Sequence, residues 1–228
     1  MENLYLLLNL GSLLIPFLFS FHPKLQFYKL WKYLFPAIFM TMLIFIPWDV
    51  IFTQNGIWGF NTAYFLDFEI LHLPLEEWLF FICIPYACVF THYALLHYFS
   101  NISMSKKNTK IITYSLLSIL ITGVIFNYNK WYTVINFLYA IILLLIVLKQ
   151  NMQLLQRYYL TFIVMLIPFF IVNGILTGSF IENEVVWYNN KENLNFRLFT
   201  IPAEDTIYAL TLILSNLFLI ELFQKKKS

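Results

Sequence analysis

Charged residues are scarce in this chain. Asp, Glu, Lys and Arg make up 11% of its 228 residues, against about one quarter in soluble domains, while hydrophobic residues make up 61%. Water is therefore not the solvent for most of the surface, and an ordinary soluble enzyme is excluded. The net charge of +2 is too small for a nucleic-acid footprint. We predict an integral protein that crosses the cell membrane several times and has no nucleic-acid partner.

Motifs of several common chemistries are also missing. There is no glycine-rich dinucleotide fingerprint and no Walker A loop. The four histidines form no H-x-x-x-H pair, so a di-iron site is not expected, and we predict neither a metal nor a cofactor. The only cysteines, Cys83 and Cys88, are five residues apart, which turns them to different faces of a helix and makes a mutual disulfide geometrically poor.

Seven apolar runs, each near the length of a bilayer crossing, predict an all-α protein of seven transmembrane helices. The runs are 4–21, 30–52, 75–99, 111–128, 131–148, 158–178 and 203–223. With seven crossings, most Lys and Arg residues fall on one side, and only Lys130, Lys191 and Arg197 fall on the other. The positive-inside rule then predicts an outside N-terminus and a cytoplasmic C-terminus. Nearly all acidic residues, Glu2 included, fall at or near the outer face.

The sequence contains an internal repeat. An aromatic–Asn pair, twelve further residues and a Pro-x-Glu-(Glu/Asp) motif occupy 60–77 and recur at 188–205, an offset of 128 residues. The repeat predicts two parallel three-helix units joined by a linker helix and related by a pseudo-two-fold axis along the membrane normal. We assign the first unit to residues 1–100, the linker to 101–130 and the second unit to 131–228.

The two acidic motifs form the candidate site. Pro and carboxylates are ordinary at a helix start, so a single motif would indicate little. The recurrence of the motif with the same upstream Asn favours a function instead. Carboxyls at an apolar boundary repel one another and can share a proton, which lets one serve as general acid and its neighbour as general base. We therefore predict catalytic roles for Glu76, Glu77, Glu204 and Asp205.

Further residues complete the predicted site. Phe80 and Tyr208 each follow the first motif carboxyl by four residues, so each ring lies one turn deeper on a similar helix face, where it can stabilise a carbocation. Most other aromatic residues near this level, such as Trp58 and Tyr188, fit an interfacial belt. Asp49 and Asn173 also correspond in the repeat, at an offset of 124 residues. Substrate contacts are expected for Asn61, Asn189, Phe80, Tyr208, Asp49 and Asn173.

The duplicated motif resembles that of the non-flavin, membrane-embedded lycopene cyclases, a family also seen as two heterodimer subunits. The resemblance covers nearly the whole chain and, with both halves in one polypeptide, it looks like the fused form. It implies an enzyme of carotenoid biosynthesis, an intramolecular lyase or isomerase without net redox change. Its implied reaction converts the linear ψ end groups of lycopene to β-type rings by protonation, cyclisation and deprotonation. The implied partners are this lipophilic substrate and the lipid bilayer.

Alternatives remain open at this point. A small-solute transporter is one, because small sugar carriers share the order of three, one and three helices, although their usual Pro-Gln motif is absent here. A cyclase of longer carotenoids is another. The sequence also leaves open the ring isomer, the number of ends processed, and which carboxyl is the acid. A complex with other carotenoid-pathway enzymes or a homo-oligomer is compatible with the resemblance, but no residue argues for it.

Overall fold

The structure is a computed structural model that describes residues 3–225, so Glu2, Lys226 and Lys227 of the charge pattern lie outside the described residues. This part of the chain contains seven α-helices and six short β-strands. The helices are α1 (Leu4–Phe19), α2 (Trp31–Gln54), α3 (Leu75–Tyr98), α4 (Lys106–Phe126), α5 (Trp131–Gln150), α6 (Met152–Leu176) and α7 (Ala203–Lys225). The strands are β1 (Trp58–Phe60), β2 (Glu69–Ile70), β3 (Leu73–Pro74), β4 (Val186–Tyr188), β5 (Arg197–Leu198) and β6 (Ile201–Pro202).

The helices confirm a multi-pass membrane architecture. Six of them, α2 to α7, are long and apolar enough to cross a bilayer. Helix α1 is apolar as well, but its 16 residues fall short of the roughly 20 that span a hydrocarbon core. The seventh crossing and the orientation of the termini stay predictions.

Two helices begin several residues before the apolar runs that predicted them. Helix α4 starts at Lys106 because Ser105 caps it, accepting a hydrogen bond from the Asn108 backbone N–H at 3.1 Å. Helix α6 starts at Met152 because Asn151 accepts one from the Leu154 N–H at 3.2 Å. Capping side chains fix these starts, whereas the apolar pattern marks only the part suited to lipid.

The helices pack so that α7 lies at the centre. It contacts α2, α3, α5 and α6, and twelve of its residues are buried. Helix α1 packs against α3 as α5 packs against α7, and α4 covers α5 and α6. This arrangement brings the starts of α3 and α7, and so both acidic motifs, to the same end of the bundle.

The loops 55–74 and 177–202, which we call the loop pair, cover that end. Strand β1 pairs antiparallel with β4, and Gly59 lies opposite Trp187. The Asn61 N–H donates to the carbonyl of Val185, and the Asn189 N–H donates to that of Ile57, both at 2.9 Å. Each loop also forms its own hairpin, β2 with β3 and β5 with β6. The same contacts thus occur in both loops at the 128-residue spacing found in the sequence.

Two helical glycines offer a matched test of this packing. A methyl group on Gly123 of α4 would lie 2.6 Å from the ring of Phe137, which is buried on α5. A methyl group on Gly11 of α1 would meet no atom within 4 Å. We expect Gly123→Ala to cost about 1–3 kcal/mol by overpacking, and to lower the thermal unfolding midpoint in detergent. Gly11→Ala should leave it unchanged or raise it; equal midpoints for the two variants would contradict this packing.

Candidate active site

An elongated cavity of about 250 Å³ lies between α1, α3, α6 and α7, beneath the loop pair. Its lining on α3 runs from Glu77 to Thr91, about 21 Å at the rise of an α-helix. Most of the wall is apolar, with Phe162, Met165 and Leu212 among its side chains. The cavity is therefore long and mainly apolar, with its carboxyl groups and most of its other polar groups at one end.

Three carboxyl groups occupy the polar end. Asp49 comes from α2, Glu77 from α3 and Asp205 from α7, and none is more than 8% exposed. Ionised groups are costly to bury, so each must be protonated or paired with donors. The donors around these three groups differ, which gives them different chemistry.

Glu77 and Asp49 form a carboxyl pair. The hydroxyl of Tyr5 donates to Oε2 of Glu77, and the indole N–H of Trp58 donates to Oδ1 of Asp49 at 2.7 Å. The two carboxyls are close enough to interact with each other. Within residues 3–225 no donor in hydrogen-bonding geometry reaches the buried Oδ2 of Asp49. Two neighbouring acids with few donors favour one shared proton over two negative charges.

Asp205 has a richer set of donors. The hydroxyl of Tyr132 donates to its Oδ1 at 2.5 Å, and that of Tyr188 donates to its Oδ2 at 2.9 Å. Burial, and next the nearby Asp205 carboxylate, raises the pKa of Tyr188 well above its ordinary value, so this phenol stays a proton donor. Two phenol donors on one carboxylate stabilise its charged form.

The first carboxyl of each motif turns away from the cavity. Oε1 of Glu76 accepts from the Leu66 N–H at 2.9 Å, and Oε1 of Glu204 accepts from the Leu194 N–H at 2.6 Å. Both residues are fully buried but neither lines the cavity. Consecutive residues on a helix point about 100° apart, so only the second carboxyl of each motif can face the cavity while the first faces the loop.

Of the other predicted residues, some line the cavity and some face the loops. Phe80, Tyr208, Asp49 and Asn173 line the cavity, whereas Asn61 and Asn189 do not. The side-chain oxygens of these two asparagines accept from the backbone N–H groups two residues on, each at 3.1 Å. They thus shape the turns that follow the β1–β4 contact.

Sequence reasoning missed the phenol and indole donors. Tyr5 and Tyr132 were not singled out, although both begin a Tyr-x-x-x-Asn pattern repeated at an offset of 127 residues. The Asn of each pattern, Asn9 or Asn136, donates to the backbone carbonyl of the first motif Glu at 2.8 or 2.7 Å. Trp58 and Tyr188, which we predicted to belong to an interfacial belt, face the cavity instead.

Comparison with known proteins gives one informative match. A family model described as lycopene cyclase matches residues 2–95 and 129–223, which is most of the chain. The two matched segments contain one acidic motif each and leave out the whole of α4. No curated protein and no solved structure matches.

The anchoring role of the first carboxyl can be tested at Glu204, whose Oε1 also accepts from the Thr133 hydroxyl at 2.6 Å. We expect Glu204→Leu to leave these donors unpaired, cost about 1–3 kcal/mol and expose the loop 189–200 to protease. Glu204→Gln keeps an acceptor oxygen and should lose much less. The measurements are thermal unfolding in detergent and limited proteolysis. Equal losses in both variants would show that the acceptor is not what holds the loop.

Proposed function

The chain belongs to the lycopene cyclase family, and we propose that it cyclises the linear ψ end groups of lycopene to β-type rings inside the cavity beneath the loop pair. The observation that carries the proposal is the set of three buried carboxyls, Asp49, Glu77 and Asp205, at one end of an apolar channel. A hydrocarbon end group matches the walls, and a proton-transfer isomerisation needs an acid and a base at the same place.

The reaction balances without any redox partner. A carboxylic acid protonates the terminal double bond and leaves a tertiary carbocation. The internal alkene attacks that cation, which forms the ring C–C bond and moves the positive charge into the ring. A carboxylate then removes a ring proton, which leaves the ring alkene, so one proton enters and one leaves. The wall of the cavity excludes water, which would otherwise trap the cation as an alcohol.

The different hydrogen-bond donors suggest which carboxyl is the acid and which is the base. We assign the acid to the Glu77–Asp49 pair, because two adjacent carboxyls hold one proton between them. We assign the base to Asp205, because Tyr132 and Tyr188 stabilise its ionised form. One turnover moves a proton from the first site to the second, and return of that proton within the cluster restores both.

Aromatic rings near the proposed acid and base can stabilise the carbocation that forms between them. Phe80, Trp58 and Tyr208 line the cavity at the level of the carboxyls. Their π faces attract a cation, and the benzene ring of Phe80 has no heteroatom that could trap it. We propose that they hold the cationic intermediate while the ring closes.

The remaining predicted residues are better explained as scaffold. Glu76 and Glu204 hold the loops that roof the cavity, and Asn61 and Asn189 shape the turns of those loops. We therefore narrow the catalytic set from four motif carboxyls to Glu77 and Asp205, with Asp49 added. Glu76 and Glu204 become positioning residues.

The substrate is proposed to enter from the bilayer. Pro168 of α6 is exposed, and Pro16 of α1 and Val172 of α6 are partly exposed, yet all three line the cavity. This wall between α1 and α6 therefore opens to the lipid side. Few polar groups lie along the channel, which suits a hydrocarbon better than the hydrated solute of a transporter.

Production of the protein in bacterial cells that accumulate lycopene tests the function. Chromatography of the pigments should show one-ring or two-ring products in place of the linear one. Cells that make linear carotenoids of longer chain length test the wider substrate class in parallel. Unchanged linear pigment in both strains, with the protein present in the membrane, would refute the proposal.

If the catalytic carboxyls are those that line the cavity, variants of the two motif carboxyls should differ in activity. Glu77→Gln and Asp205→Asn should each lower ring formation by a factor of about 10²–10⁴, the usual contribution of a general acid or base. Glu184→Gln, a change at an exposed loop acid, is the control and should be unaffected.

Glu76→Gln and Glu204→Gln test whether the first carboxyl of each motif is also catalytic. Because they retain an acceptor for the loop, they should keep more than a tenth of the activity, and a complete loss would restore all four carboxyls to catalysis.

The hydrogen bond from the Tyr188 hydroxyl to Asp205 should affect the rate of ring formation. Tyr188→Phe removes a donor to charged Asp205, a hydrogen bond worth about 1.5–3 kcal/mol, so ring formation should slow by about 10- to 100-fold. Tyr64→Phe is the control, because that phenol donates to the backbone carbonyl of Glu182 outside the cavity. Turnover is measured with purified protein in lipid vesicles that contain lycopene. Equal rates for the two variants would remove Tyr188 from the mechanism.

A further inference from the structure

The repeat allows the two halves to be compared position by position. Residues correspond at an offset of 127 between α1 and α5, 124 between α2 and α6, and 128 between α3 and α7. The cavity lies where α1 and α3 meet α6. Its counterpart in the other half would lie where α5 and α7 meet α2. A symmetric protein would therefore have two such cavities.

Three of the residues that line the open cavity have side chains smaller than an aromatic ring. Ser12 of α1, Ala87 of α3 and Val172 of α6 all face it. Their counterparts on α5, α7 and α2 are Tyr139, Ser215 and Trp48. Two of these three exchanges replace a small side chain by a large ring.

Those rings fill the counterpart space. The ring of Phe45 lies 5.3 Å from that of Tyr139 and 5.1 Å from that of Tyr208, and the ring of Trp48 lies 5.2 Å from Tyr208. Tyr139 also shares a 2.8 Å hydrogen bond with Ser215 across the gap. Phe45 is fully buried and Trp48 is 9% exposed. A packed aromatic cluster thus stands where the second cavity would be.

The two halves also differ at the end of the cavity that holds the carboxyl groups. Asp49, which pairs with Glu77, corresponds to Asn173, so the second half has no matching acid pair next to Asp205. Tyr188, which donates to Asp205, corresponds to Phe60, which has no hydroxyl. The two halves supply different parts of one site rather than one site each.

We infer that the chain has a single working chamber, which takes one end group of a linear polyene at a time, and that Trp48 and Tyr139 plug its counterpart. The identity of the occupant rests on the proposed function. A lycopene molecule processed at both ends must then leave after the first ring and return with its other end forward. The one-ring compound is therefore a released product and not a bound intermediate.

The inference can be tested by introducing the large side chains of the filled half into the open chamber and measuring binding, without an activity assay. Val172→Trp and Ser12→Tyr introduce the side chains that the other half carries. Ile171→Trp and Ile15→Tyr add the same rings on exposed faces of the same helices and serve as matched controls. Lycopene retained by each purified protein is measured by absorbance, and thermal unfolding checks that each variant is folded.

We expect one lycopene per chain for the unmodified protein and both controls, and at least a tenfold weaker retention for Val172→Trp and Ser12→Tyr. Retention by folded Val172→Trp and Ser12→Tyr equal to that of the controls would overturn the inference, as would an unmodified protein that retains no lycopene. Binding that fails only in the two plug variants, in a protein that forms no ring, would refute the proposed reaction but support the single chamber.

A chase experiment tests the release step. Vesicles containing the protein and isotope-labelled lycopene are allowed to react briefly, and excess unlabelled lycopene is then added. A single chamber predicts that labelled one-ring product accumulates and that its conversion to two rings is suppressed by the excess. Labelled two-ring product that keeps forming at the original rate, with no free one-ring compound, would show that both ends are held at once.

Discussion

Burial of three carboxyl groups at the end of a hydrocarbon-lined cavity is the constraint on which the rest of this structure depends. Each charge removed from water is expensive unless donors or a shared proton compensate for it. The protein supplies both remedies, with phenol donors around Asp205 and a second carboxyl beside Glu77. Under the proposed reaction, the arrangement that makes burial tolerable also prepares one group to give a proton and another to take one.

The surrounding scaffold serves to keep those groups in place. The first carboxyl of each motif fixes the start of α3 or α7 to its loop, and an Asn from α1 or α5 of the same unit fixes it to that helix, through equivalent hydrogen bonds in the two halves. The paired strands β1 and β4 then tie the two loops together. These buried hydrogen bonds rigidify the site, because breaking any one of them leaves a buried partner without compensation. The first carboxyl of each acidic motif therefore holds a loop, and under the proposed reaction the second transfers a proton.

A repeated fold provides two equivalent sets of acids, whereas the proposed reaction needs an acid and a base that are unlike. Exchanges at a few corresponding positions create that difference. Asp49 opposite Asn173 and Tyr188 opposite Phe60 alter the surroundings of the two motif carboxyls. In the arrangement that we infer, Trp48 opposite Val172 and Tyr139 opposite Ser12 close one cavity and leave the other open. Near-symmetry in the backbone is thus compatible with an asymmetric site.

Sequence alone determined the all-helical membrane class, the six helices that are long and apolar enough to cross a bilayer, the recurring motif and the family resemblance, because apolar length and residue spacing are local properties of the chain. It also singled out Asp49, Glu77 and Asp205. Only the tertiary structure separated Glu77 from Glu76 and Asp205 from Glu204, since which face of a helix meets the cavity depends on its packing. Tyr5 and Tyr132 come close to their carboxyls from helices more than seventy residues away in the chain, and such contacts leave little local signal. For the same reason, only the packing of side chains from α2, α5 and α7 decided that one of the two equivalent spaces is filled.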